Sequence, residues 1–204
     1  MGDLAVESTK SGGRPLGVAL GAALIVVFLG LAGCSTSEPS PAHKTAHATH
    51  APTSQDTTKG FIYKDAPSGY AVTFPQKPDV EPLANNETDQ PANFVSTELA
   101  SVEFASIGQV LDHAPQLQSQ LMGWVDSLNP SGQVNAGGYT LGGLDAVRAG
   151  FTTGDSSAIP SDLVGQPCEV VMAGDGNRFY QLVVIGGTAD ERQAFFDSFQ
   201  RIDG

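Results

Sequence analysis

Cysteine is nearly absent from this chain: 204 residues hold two, Cys34 and Cys168. A fold stapled by several disulfides is therefore excluded, and the folded part must be held by ordinary packing. Positive charge is also scarce, with 10 Lys and Arg against 22 Asp and Glu, a formal net charge of −12. Four residues of each sign precede position 60, so the whole of that charge falls on residues 60–204. A domain so acidic is repelled by nucleic acid and by anionic lipid headgroups. Its six Lys and Arg are scattered at 64, 77, 148, 178, 192 and 201 and form no basic run, which also argues against nucleic-acid binding. Nucleotide signatures are missing: the glycines at 137, 138, 142 and 143 open no helix as G-x-G-x-x-G or as a Walker loop. Acidic residues this numerous yield neighbouring pairs by chance, so such pairs give no evidence for a glycosidase. No catalytic constellation and no cofactor is expected.

One long apolar run is present, "LGVALGAALIVVFLGLAG" from Leu16 to Gly33, 18 residues without a charge. It follows a polar start carrying Asp3, Glu7, Lys10 and Arg14, and it ends on Cys34. A charged start, an apolar centre and small residues at the end are the parts of a secretory signal. "LAGC" (Leu31, Ala32, Gly33, Cys34) resembles the lipobox of bacterial lipoproteins. The resemblance implies a signal peptide over 1–33 and a diacylglyceryl group on the Cys34 thiol, which becomes the first residue of the mature chain. Two acyl chains suffice for stable anchoring. The expected address is the outer face of the bacterial cytoplasmic membrane, anchored without spanning. An uncleaved signal anchor with an incidental cysteine is the alternative.

Residues 34–59 contain no Val, Ile, Leu, Met, Phe, Tyr or Trp and are rich in Ser, Thr, Pro and Ala. They read as a disordered tether, because such a composition buries too little apolar surface to offset the entropy of ordering. His43, His47 and His50 lie in "HKTAHATH". Imidazoles at that spacing suit Zn²⁺ or Cu²⁺, but a Pro- and Thr-rich tether supplies no closed shell around an ion, so no metal site is assigned. The same composition fits a sugar-modified stalk.

Residues 60–204 make one domain of ordinary size. "FIYKDAPSGYAVTFP" reads as two extended pieces about a Pro67-Ser68-Gly69 turn, with Tyr70, Val72 and Phe74 alternating. "PLANNETDQP" (Pro82–Pro91) reads as a polar loop, and "FVSTELASVEFASIGQV" as a strand or hairpin breaking near Ala100-Ser101. Leu117, Leu121, Trp124, Val125 and Leu128 recur at helical spacing until Asn129-Pro130 stops them. Gly123, inside that helix, is expected to mark close packing on a sheet. Glycine-punctuated strands follow, and "PCEVVMAGDGNRFYQLVVIGG" is the clearest hairpin. Thr188-Ala189-Asp190-Glu191 is a capping box that opens a last helix carrying Phe195, Phe196 and Phe199. The order predicts an α+β domain, an antiparallel sheet with helices packed on it.

"GYAVTFPQKP", "GGLDAVRAGF" and "RFYQLVVIGG…FFDSFQRI" are similar to the corresponding parts of the Mog1/PsbP-like superfamily. That resemblance implies an α/β/α sandwich that binds other proteins and does not catalyse, and it carries over no site residue. Cys168 would need a base to act as a nucleophile; His113 is the one histidine of residues 60–204, and nothing in the sequence brings the two together. A buried apolar thiol is the expectation for Cys168. Asp175-Gly176-Asn177 lacks the later ligands of a calcium loop and reads as a hairpin turn. The expected function is a binding or adaptor module for an envelope protein, held through one sheet face or a loop rim. A carrier of lipid or a small apolar ligand, with the amphipathic helix covering a cavity, is the alternative.

Overall fold

The computed structural model describes residues 55–57, 60–83, 88 and 90–202. Cys34, His43, His47 and His50 lie outside the described residues. The first hairpins are β1 (Gln55–Thr57), β2 (Gly60–Asp65) and β3 (Tyr70–Phe74), then β4 (Asp79–Leu83), β5 (Ala92–Leu99) and β6 (Val102–Val110). Helix α1 (Leu117–Ser127) leads to β7 (Ser131–Leu141), β8 (Leu144–Thr152), β9 (Pro167–Asp175) and β10 (Arg178–Ile185). Helix α2 (Ala189–Asp197) and a short β11 (Gln200–Arg201) complete the order.

The strands form two sheets, one of seven in the order β4-β5-β6-β10-β9-β8-β7 and one of four in the order β1-β2-β3-β11. Every pairing is antiparallel. The fold is α+β, as the hairpin signals and two separated helical stripes predict.

Strand β10 shows how the layers arise. Tyr180, Leu182 and Val184 join one apolar cluster, while Phe179, Val183 and Ile185 join another on the opposite face. A strand apolar on both sides belongs at the centre of a sheet covered twice. The second face takes α1 through Leu121, Trp124, Val125 and Leu128, together with Ile159 and Leu163 of the long β8–β9 connection. The first face is shared by α2, through Phe195 and Phe196, and by the small sheet, through Tyr70, Val72 and Phe74. Helix α2 has nine residues, about 13 Å of length. It is too short to cover seven strands alone, and the small sheet fills the rest of that layer.

Three local expectations change. Gly123 is exposed, and a Cβ built on it meets nothing within 4 Å, so it marks no close packing on the sheet. Pro82 and Leu83 belong to β4 and not to a loop. An outermost strand tolerates proline, because no ladder bond is asked of its outward N–H. Gln55–Thr57 pair with β2, which places a short strand inside the stretch read as tether. The hairpin turns match their glycines: Gly142 and Gly143 between β7 and β8 take φ of 55° and 82°.

Candidate functional site

Four groups of side chains carry chemistry, and the fold determines what each can do. The first lies where the small sheet meets the large one. The Ala66–Gly69 turn returns β2 into β3, and the Asp65 carboxylate caps it by accepting from the Ser68 N–H at 3.1 Å. The Tyr63 hydroxyl and the Asn93 amide reach the other carboxylate oxygen at 3.5 and 3.4 Å. Tyr180 donates to the Ser68 carbonyl at 3.1 Å, and the Tyr70 hydroxyl meets Ser106 Oγ at 3.1 Å. Asp65 is 2% exposed, and burial raises its pKa while the Ser68 N–H opposes the rise. Burial likewise pushes the Tyr63, Tyr70 and Tyr180 hydroxyls upward. A raised carboxylate among three tyrosines has the charge pattern of a general acid. Here its oxygens hold a turn and are shut from solvent. Gly108 lies beneath, and a Cβ there would fall 2.3 Å from the Tyr70 ring, so the ring rests directly on strand β6.

Cys168 sits in β9, paired with Phe151 on one side and Ile185 on the other, and is 1% exposed. Burial holds the thiol protonated, and the Glu103 and Glu169 charges push its pKa the same way. A nucleophilic cysteine needs the opposite environment. His113 pairs with Asp112 on an exposed segment. That segment abuts the β9–β10 turn through the Leu111 N–H to the Asn177 carbonyl, at the far end of β10 from the Ile185 that faces Cys168. Seven strand steps, about 24 Å, separate those ends. The two residues are not brought together, and Cys168 is the buried apolar thiol its sequence context predicts.

A third group was missed in the sequence. Glu98 and Glu103 face each other directly across the β5–β6 hairpin. Burial, with the charges of Glu98 and Asp162, pushes the Glu103 pKa up to about 7. The signal was available: a turn at Ala100-Ser101 sets positions equidistant from it opposite one another. No group of three His, Cys, Asp or Glu among the described residues is arranged to hold a metal ion. Asp175 of the predicted turn accepts from Arg201 at 2.8 Å, and Asn177 donates to the Leu111 carbonyl at 2.9 Å.

The fourth group clasps α2 onto the sheet. Glu169 on β9 accepts from Arg148 and, at 3.0 Å, from Arg192. Arg192 also caps the carbonyls of Gly186 and Gly187. The Arg148 guanidinium lies over the Tyr139 and Phe196 rings, 5.1 and 5.4 Å from their centres. These charges lock elements together. Three buried polar atoms have no hydrogen-bond partner among the described residues: Ser68 Oγ, Gln120 Oε1 and Gln181 Oε1, the last on a residue 1% exposed on the α1 side of β10. The central strands of the large sheet are covered on both faces by these layers, while its two outermost strands, β4 and β7, stay largely exposed. Strand β7 lies at one edge of the sheet, and most of its 11 residues are exposed.

Against known proteins, no family profile and no curated sequence matches the chain. The chain is similar to cyanobacterial PsbP. That solution structure, PsbP (CyanoP) from Synechocystis sp. PCC 6803, shares 11% identity at a TM-score of 0.46, over 78% of this chain and 98% of the other. A crystal structure from Bacteroides thetaiotaomicron VPI-5482 shares 12% identity at a TM-score of 0.41 over 71% of this chain. The match spans about half, 49%, of that second protein. Among the described residues, no helix is long and apolar enough to cross a membrane.

Proposed function

We propose that the chain is a non-catalytic binding or adaptor module of the cell envelope, lipid-anchored through Cys34 on the outer face of the cytoplasmic membrane and engaging an envelope protein. The observation that carries this reading is where the reactive groups lie. Asp65 and Cys168 are buried and Glu169 half-buried, each committed to holding a turn, a core or a helix. Such a molecule acts through its surface. The test is capture of the tagged, lipidated protein from gently solubilised membranes, with identification of both the protein and the lipid that accompany it. A stoichiometric protein partner, retained when residues 34–54 are shortened, is the expected result. A preparation carrying only a lipid or small molecule overturns it.

Gln181 favours a second reading, the carrier of a small apolar ligand. Its unpartnered amide oxygen lies beneath α1, where a ligand hydroxyl or amine would satisfy it. Against this, Leu121, Trp124, Val125 and Leu128 of α1 are at most 3% exposed and pack into the same cluster as the sheet residues below them. Native mass spectrometry decides between the two: bare protein counts against the carrier, and a mass lost on Gln181→Leu supports it.

A further inference from the structure

We propose that β7 is a self-pairing edge, and that a second copy of this chain adds antiparallel to it across a two-fold axis at Gly138. This goes beyond the adaptor reading and does not depend on it.

The edge is open. Strand β7 ends the seven-stranded sheet, and residues 135–141 pair in unbroken register with β8 on their inner side. Their outer N–H and C=O groups face no strand among the described residues. An open edge is a template for another strand, and folded proteins blunt it with charge, proline or brevity. The opposite edge, β4, is short and carries Asp79, Glu81 and Pro82. Strand β7 is 11 residues long, with no charge and no proline; its one irregularity is the register shift between Ser131 and Asn135.

Gly132 of β7 takes a φ of 88°, but Gly137 and Gly138 have no such internal explanation. A Cβ at Gly137 or Gly138 would meet nothing within 4 Å, and neither residue takes a positive φ. Fold and turn geometry do not require them. A large side chain laid over Gly137 by a neighbouring strand would account for that one.

Charge selects the occupant. Two copies bring −12 against −12, so they meet only where both surfaces are neutral. A basic partner would gain more from an acidic edge than from this one. The strand is also complementary to itself. A two-fold axis at Gly138 sets Tyr139 opposite the second copy's Gly137, and Thr140 opposite its Ala136. Aromatic side chains laid over edge glycines are a known device for pinning strand register. Gly137 in turn faces Arg148 on β8, whose guanidinium already lies against its own Tyr139 ring. The second copy's Tyr139 would therefore extend a cation–π row across the interface. Seven paired residues bury less than the roughly 1,200–2,000 Å² of a stable complex. The pairing is weak in dilute solution and is favoured where copies share a surface.

Disulfide trapping in the full chain tests this, with the parent chain giving the background from Cys34. At the axis, residue 138 faces its own copy at a Cα separation of about 4.5–5.5 Å, within disulfide range. Gly138→Cys is expected to yield at least tenfold more linked homodimer than Ala136→Cys under the same mild oxidant. Ala136→Cys and Thr140→Cys, expressed together, are expected to link to each other. Thermal unfolding of each variant confirms that the fold is kept, which the open space around Gly138 favours. A Gly138→Cys chain that stays monomeric, or an Ala136→Cys chain that links equally well, overturns the proposal. A disulfide adduct of Gly138→Cys with a different protein also overturns it, and assigns the edge to that protein.

Discussion

Two residues whose side chains could hardly differ more are governed by the space around them. Gly154 has an ordinary φ, yet a Cβ there would fall 1.7 Å from the Asn129 carbonyl oxygen. That oxygen belongs to the residue ending α1, which takes φ 48° and whose amide donates to Asp155 at 3.0 Å. Neither backbone can retreat without releasing the helix end. Gly154→Ala is therefore expected to cost about 3 kcal/mol or more by denaturant titration. Gly137→Ala, in open space, is expected to stay within about 0.5 kcal/mol. Glu103 is the opposite case, a side chain in a place that opposes its charge. Its pKa stands at about 7 in the folded chain, against 4.5 ordinarily. Between those values the folded state holds a proton that the unfolded state has lost, so stability falls as pH rises from about 4.5 to about 7 and stays low above that. Glu103→Gln removes the anion facing Glu98 and Asp162. At pH 8 it is expected to gain about 3 kcal/mol, since each tenfold change in proton affinity is worth about 1.4 kcal/mol, and at pH 4 to gain almost nothing. Melting curves at the two pH values check this, and an equal gain at both would refute the assignment.

At the scale of elements, what was legible is what local chemistry writes. Thr188 accepts from the Glu191 N–H and Glu191 from the Thr188 N–H, so the capping box seen in four letters opens α2 as predicted. The alternation of Tyr180, Leu182 and Val184, with glycine in the turn, likewise placed the β9–β10 hairpin. Partnerships between distant segments were not legible. Strand β11 has two residues and meets β3, some 130 positions earlier, and no local pattern announces such a pair. The carboxylate pair of Glu98 and Glu103 needed the register of a hairpin, and the turn network around Asp65 needed the packing of one sheet on another. Gly123 shows the same boundary from the other side. A glycine inside an apolar stripe invites a packing explanation, yet it lies on the solvent face of α1. Gly123→Ala is accordingly expected to stabilise the domain by about 1 kcal/mol, the helix-propensity difference alone. A loss in thermal unfolding would mean that something covers that face.

The whole molecule joins a domain whose acidic surface is repelled by anionic headgroups to an N-terminal segment suited to holding it beside them. Attraction between domain and membrane contributes nothing to that arrangement, since residues 60–204 carry the entire −12. On the proposed function, anchorage would rest wholly on a lipid at Cys34, where two acyl chains would be needed to make it stable. Cys34→Ser removes the thiol that would carry the lipid and touches none of the described residues. It is expected to abolish metabolic labelling by a palmitate analogue and to leave the far-ultraviolet spectrum and melting temperature unchanged. Membrane fractionation then separates the two readings of the apolar run. A lipoprotein with this change either leaves the membrane fraction or stays there as the uncut precursor, distinguished by a mass that retains residues 1–33. An uncleaved signal anchor would show that same precursor mass in the parent chain, with no label in either. Label in the parent together with a mature mass starting at Cys34 is therefore the joint outcome on which the envelope address stands.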